Sequence, residues 1–229
     1  MKTDFRLFGS LHLAIIAAVP LAAWLLSRAA GRRTRIVLGL LLLVNELIWY
    51  GYKLRTEGWR FPEGLPLQLC DLTLWMTVIA ALTLKPWAVE TAYLAGVGGA
   101  GMAVLTPELW APAFSYPTMY FFAAHGGLIV VILTILGSRM AKLGPGCVWR
   151  VLAVTNLFAA FDALFNAVFQ TNYMFLCRKP SSASLLDSLG PWPWYIAAGE
   201  VLTLVIFWLL WLAYAGFRRR DGGRFRPPA

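Results

Sequence analysis

Seven stretches of mainly apolar residues, each close to the length of a membrane-spanning helix, run through this chain and leave it little choice of fold. A helix needs about 20 such residues to cross the hydrocarbon layer, because each residue advances it by only about 1.5 Å. The runs lie near Phe8 to Leu26, Ile36 to Tyr52, Leu65 to Leu84, Thr91 to Leu105, Thr118 to Leu136, Val148 to Phe169 and Trp194 to Ala215. The expected fold is all-α: a polytopic bundle of about seven transmembrane helices, forming one domain over residues 1–229 with a short basic tail at 216–229. Only 14% of residues are charged, where a soluble domain carries about 25%. Met1 to Arg6 leads into the first run without a small-residue cleavage site, so that run is expected to stay as a helix.

The formal net charge of +9 does not point to nucleic acid, since the basic residues sit in short loops and in the tail. They act instead as topology signals, because cytoplasmic loops carry the excess of Lys and Arg. One side holds 13 of them: Arg28, Arg32, Arg33, Arg35, Lys85, Arg139, Lys142, Arg150, Arg218, Arg219, Arg220, Arg224 and Arg226. The other holds 7: Lys2, Arg6, Lys53, Arg55, Arg60, Arg178 and Lys179. The bias predicts a multi-pass protein of the cell membrane with its N-terminus outside and its C-terminus in the cytoplasm, which requires an odd number of spans. Tryptophans and tyrosines crowd the predicted outer ends, as an interfacial belt would.

Ionisable groups inside a span cost about 2.5 to 3.5 kcal/mol each, so they face the bundle interior and invite a functional reading. Here they share a depth in the outer half of the bilayer. Asn45 and Glu46 belong to the second run, Gln68, Cys70 and Asp71 to the third, and His125 to the fifth. Asp162 and Asn166 lie one turn apart on one face of the sixth, and Glu200 lies in the seventh. Cys70 and His125 form the pair able to do covalent work, since a thiol in apolar surroundings needs an imidazole to take its proton. Asp71, Asp162 or Asn166 would then orient the imidazole.

Plainer readings accompany each of these. A lone membrane cysteine is usually a packing residue, and an interior histidine usually a hydrogen-bonded one. His12 is a rival base at similar depth, and Cys70 could instead pair with Cys177. Gly96, Gly98, Gly99 and Gly101 read as close helix packing, and Gly126 and Gly127 as room for a backbone or acyl chain beside His125. The same polar layer would also suit a solute or proton-coupled transporter, or a ligand-binding membrane protein. Cysteine and histidine spacings match no zinc or haem pattern, so neither a metal nor a cofactor is expected.

Several motifs carry a resemblance over about residues 36–212. They are Leu65-Pro66-Leu67-Gln68-Leu69-Cys70-Asp71-Leu72, Leu105-Thr106-Pro107-Glu108-Leu109 and Phe121-Phe122-Ala123-Ala124-His125-Gly126. Thr171-Asn172-Tyr173-Met174-Phe175-Leu176, Lys179-Pro180 and Leu189-Gly190-Pro191-Trp192-Pro193-Trp194-Tyr195 follow. Together they resemble the YwaF-type bacterial integral membrane proteins, which are similar to a eukaryotic acyltransferase that remodels ether phospholipids. The resemblance implies an acyl-enzyme thioester on Cys70, with His125 as base, moving acyl chains between a membrane phospholipid and a lysophospholipid. It is more distant from androgen-induced lipid hydrolases, where threonine replaces the cysteine. Family members often have histidine where Gln68 stands, so here His125 is the base left in that neighbourhood. The segment Thr171 to Tyr195, with Asn172, Tyr173, Lys179, Trp194 and Tyr195, becomes the candidate lid or substrate clamp.

Overall fold

The computed structural model describes residues 5–180 and 184–220, so the basic residues of the tail beyond 220 lie outside the described residues. The chain is all-helical, without strands among the described residues. Its helices are α1 (Ser10–Ala29), α2 (Arg32–Glu57), α3 (Leu69–Thr83), α4 (Pro86–Leu105), α5 (Tyr116–Gly137), α6 (Cys147–Phe169) and α7 (Trp194–Arg220). Six are long and apolar enough to cross a membrane, and α3, at 15 residues, is shorter. Leu41, Leu157, Leu164 and Val201 on the outer faces of the bundle are largely exposed, as lipid-facing side chains are.

Helix α5 is the centre of one half of the bundle, packed by α1, α2, α3 and α4. Helix α4 leads the other half, touching α3, α5, α6 and α7. Small residues permit the closest crossings. A Cβ on Gly39 of α2 would lie 2.6 Å from that of Ala81 in α3, and one on Gly126 of α5 would lie 3.1 Å from Val19 of α1. Gly126 therefore seats α1 rather than a ligand. Gly127 likewise meets Leu42 of α2.

Helix starts shift by up to five residues from the expected boundaries, and two of the shifts have a local reason that bears on the site. Pro66 disfavours helical geometry in Leu65, and Gln68 caps the third helix with its amide bonded to Asp71 Oδ2 at 2.9 Å. Helix α3 therefore starts at Leu69 rather than Leu65, which puts Cys70 in its first turn. In the fourth run, Pro86 occupies the first helical position, where its missing N–H costs nothing, so α4 starts five residues before Thr91. Its middle, Ala92–Val97, is wound as a π-helix.

The early start of α4 brings in Glu90, only 2% exposed, which no sequence reading had singled out. Arg150 of α6 meets it through two bonds, Nη2 to Oε1 at 2.6 Å and Nε to Oε2 at 3.0 Å. The Gly144 amide adds a third, at 3.0 Å. Arg35 is also buried and donates to the Ala81 carbonyl near the C-terminal end of α3. These two cations serve packing as well as topology, and setting them aside still leaves the basic excess on the same side.

Candidate active site

Cys70 and His125 line one cavity of about 50 Å³, enclosed by α3, α4 and α5. Cys70, Asp71 and Thr73 come from α3, Ala95 and Gly99 from α4, and Tyr120, Ala124 and His125 from α5. His125 lies nine residues into α5, roughly 14 Å along its axis, whereas Cys70 is in the first turn of α3. The two share a level because α3 is short. The segment 58–68 must then descend along the bundle to reach it, and its backbone is held by protein: the Tyr173 hydroxyl donates to the Pro62 carbonyl at 2.7 Å and accepts from the Leu65 amide at 3.0 Å. Burial raises the pKa of this hydroxyl, which keeps the proton it donates.

The two histidines separate by tautomer. In His12, fully buried, Nδ1 accepts from the Phe8 amide at 2.9 Å and Nε2 donates to the Val104 carbonyl at 2.7 Å. Both nitrogens are spent, so the rival base is a structural pin for α1. In His125, Nδ1 lies 2.8 Å from the Phe121 carbonyl, and a carbonyl only accepts, so Nδ1 carries the proton. Nε2 is left as the basic lone pair, and the Phe121 ring, 4.4 Å away between centroids, fixes the imidazole plane. Among the described residues no hydrogen bond yet joins the thiol to this ring, a geometry that commonly tightens only once substrate is bound.

The expected orienters of His125 have other partners. Asp71 caps Gln68, as above. Asn166 accepts from Thr171 Oγ1 at 2.7 Å and from the Tyr173 amide at 2.8 Å, and donates to the Tyr173 carbonyl at 3.0 Å. Asp162 is fully buried with neither oxygen hydrogen-bonded among the described residues. The orienter is the carbonyl one turn back in the same helix, a group no side-chain pattern could reveal.

The single polar layer expected from the sequence resolves into separate groups. Glu46, fully buried, accepts from the Tyr120 hydroxyl at 2.6 Å, and Trp49 stacks on Tyr120 at 4.2 Å, so this carboxyl stands directly behind the cavity wall. Asn45 is near it in sequence, and its amide nitrogen is buried with no hydrogen-bond partner among the described residues. Glu200 accepts from Asn156 at 2.5 Å and lines a different cavity, of about 160 Å³. Tyr120, read from the sequence only as one of the outer aromatic belt, heads the row Tyr120, Ala124, Leu128 that runs beside His125 at helical spacing.

The candidate clamp is mostly a self-braced loop, apart from residues 181–183, which lie outside the described residues. The Asn172 side-chain oxygen accepts from the amides of Cys177 and Arg178, both at 3.1 Å. Gln68 accepts from the Met174 amide at 3.1 Å and so ties the loop to α3. Tyr195 is buried and donates to the Phe175 carbonyl, while Lys179 lies 3.8 Å from Asp187 and over the Tyr195 ring. Trp194 is exposed. Cys70, Cys147 and Cys177 are all free thiols, so Cys70 is not tied to Cys177.

Gly99 of α4 borders both the Cys70 cavity and the neighbouring one of about 160 Å³, together with Leu69 and Ala95. A Cβ there would meet nothing within 4 Å, so this glycine keeps space open rather than packing a helix. Gly98, by contrast, faces Ile206 at 3.1 Å, as the packing reading expects.

The model of the TMEM164 family matches residues 5–211. No curated protein and no solved structure matches the chain.

Proposed function

The chain belongs to the TMEM164 family, a family of transmembrane proteins, and from that footing we propose that it is an intramembrane acyltransferase acting on glycerophospholipids through a Cys70 acyl-enzyme. The observation that carries this reading is the shared cavity, in which a free thiol and an imidazole with an unoccupied Nε2 line the same walls. In the first half-reaction, Cys70 Sγ attacks the ester carbonyl of a donor phospholipid while its proton passes to His125 Nε2. The tetrahedral carbon then expels the lysolipid oxygen, which takes that proton, and a thioester remains. In the second half, the hydroxyl of an acceptor lysophospholipid gives its proton to His125 and attacks the thioester carbonyl. The C–S bond breaks and the thiolate is reprotonated.

The first turn of α3 supports the oxyanion. The Leu69 and Cys70 amides precede the first intrahelical hydrogen bonds, which begin with Asp71 and Leu72 donating to Gln68. The cavity has room for a reacting carbonyl but not for an acyl chain, which fits a chain continuing past Gly99 into the adjacent space. We place the site in the outer half of the cell membrane, following the basic-loop bias, where coenzyme A is not normally supplied and a membrane lipid serves as donor. Low water activity at that depth favours a lysolipid hydroxyl over hydrolysis.

The test is transfer without coenzyme A. Purified protein in liposomes containing isotope-labelled phospholipid and unlabelled lysophospholipid should move label into the lysolipid. Label recovered only as free fatty acid would make the protein a hydrolase, and label moving only with added acyl-coenzyme A would rule out the lipid donor. Gly99→Leu should lower transfer of long acyl chains by about tenfold or more, the effect of filling an apolar subsite with several carbons. Its melting temperature should not fall, since the added Cβ meets nothing within 4 Å. A large drop in melting temperature would mean instead that Gly99 serves helix packing.

A further inference from the structure

A cavity of about 340 Å³ lies at the C-terminal end of α2, lined by Tyr50, Lys53, Trp59, Arg60, Leu65 and Pro66. The sequence reading gave it no role. Among its lining residues the charge is unbalanced: Lys53 and Arg60 stand with one carboxylate, Glu57, whose Oε2 is 3.4 Å from Arg60 Nη1. Lys53 is half-buried and has no ion-pair partner among the described residues. A half-buried ammonium is costly to leave unpaired, so the site favours an anion. The Tyr50 ring forms part of the wall beside it.

The position of this cavity names the anion. Leu65 and Pro66 line it, and four residues beyond Pro66 the chain reaches Cys70. Lys53 is also within electrostatic reach of the Asp71 carboxyl, the immediate neighbour of Cys70. An anion at Lys53 is thus close to the acyl-transfer cavity, as the phosphate of a glycerophospholipid is close to its own ester carbonyls. Leu54, Leu65, Pro66 and Trp59 give the cavity apolar walls, which a glycerol backbone with its first acyl carbons can cover and a free phosphate ion cannot.

We infer that this cavity binds the phosphate of the donor glycerophospholipid, with Lys53 as its counter-charge. This deepens the acyl-enzyme reading and rests on it. Lys53 is a binding residue that sets which lipids react, not a group that touches the breaking bond.

The experiment compares a phospholipid with a diacylglycerol of identical acyl chains, which lacks only the phosphate headgroup. With Lys53→Ala, the phospholipid fraction giving half-maximal acylation of Cys70 should rise about tenfold, the scale of one lost charge-assisted bond, with the maximal rate kept. The diacylglycerol reaction should not change, and Lys53→Arg should behave like the parent protein. A second readout needs no catalysis: native mass spectrometry of the full chain carrying Cys70→Ala should show phospholipid retained over diacylglycerol, and adding Lys53→Ala should abolish that preference. Glycerol phosphate alone should not be retained. Equal shifts for both lipids, no shift at all, or tighter retention of glycerol phosphate than of phospholipid would overturn the assignment. If the retention preference follows Lys53 while no lipid ever acylates Cys70, the headgroup site stands and the acyl-enzyme reading falls.

Discussion

Cys70→Ser is expected to lower acyl transfer by about a thousandfold or more, the scale seen when the nucleophile of a coupled catalytic set is removed. The reason is acidity: a serine hydroxyl is far harder to ionise than a thiol, and a neutral imidazole with one free nitrogen is a base matched to the thiol. The loss should come with an unchanged fold, because Cys70 is exposed and the replacement differs by one atom. Cys177→Ser and Cys147→Ser are controls of two kinds. Cys177 is exposed, and Cys147 is buried at the start of α6, away from the cavity, so both should retain transfer. Transfer rates measured in liposomes, beside melting curves of the same preparations, decide the matter. Comparable loss in Cys70→Ser and Cys177→Ser would remove Cys70 from the chemistry.

The second large effect is on stability. Glu90→Ala should cost about 3 kcal/mol, because it breaks a buried charged contact and strands the Gly144 amide. Arg150→Ala should destabilise the protein further. Arg150 is half-exposed and can be rehydrated when alone, whereas Glu90, only 2% exposed, would be left between α4 and α6 without its charged partner. Unfolding in detergent would show the order Arg150→Ala, Glu90→Ala, parent, from least to most stable. Arg150→Ala as stable as the parent would mean that the pair does not brace these helices.

Much of the architecture could be read from the chain because bilayer thickness imposes one length on every apolar run. What could not be read was where each run becomes helical. Pro66 lies within an apolar stretch that hydropathy alone continues through, yet it and the Gln68 cap shorten α3 and bring Cys70 to the helix terminus. Pro86 acts in the opposite sense, extending α4 back to include Glu90.

That Cys70 and His125 would line one cavity was legible because reactive side chains at a common depth are conspicuous in a membrane span. Their surroundings were not. The expected orienters Asp71 and Asn166 hold backbone groups instead, and the group that orients His125 is the Phe121 carbonyl, present at i−4 in any helix. His12 and His125 could not be told apart by depth, and separate only once the partners of both nitrogens in each ring are known. Glu200 and Glu46 belong to the same expected layer, yet one lines a separate cavity while the other stands behind Tyr120, because rotation about the helix axis is invisible to a count along it.

The central claim is a thioester on Cys70, and the most direct test is the intact mass of the purified full chain after incubation with phospholipid. A gain of one acyl group is predicted, carried on the peptide that contains Cys70, released by neutral hydroxylamine, and absent from Cys70→Ser. Lipid turnover with no adduct under rapid quench, or an adduct that persists in Cys70→Ser, would contradict it.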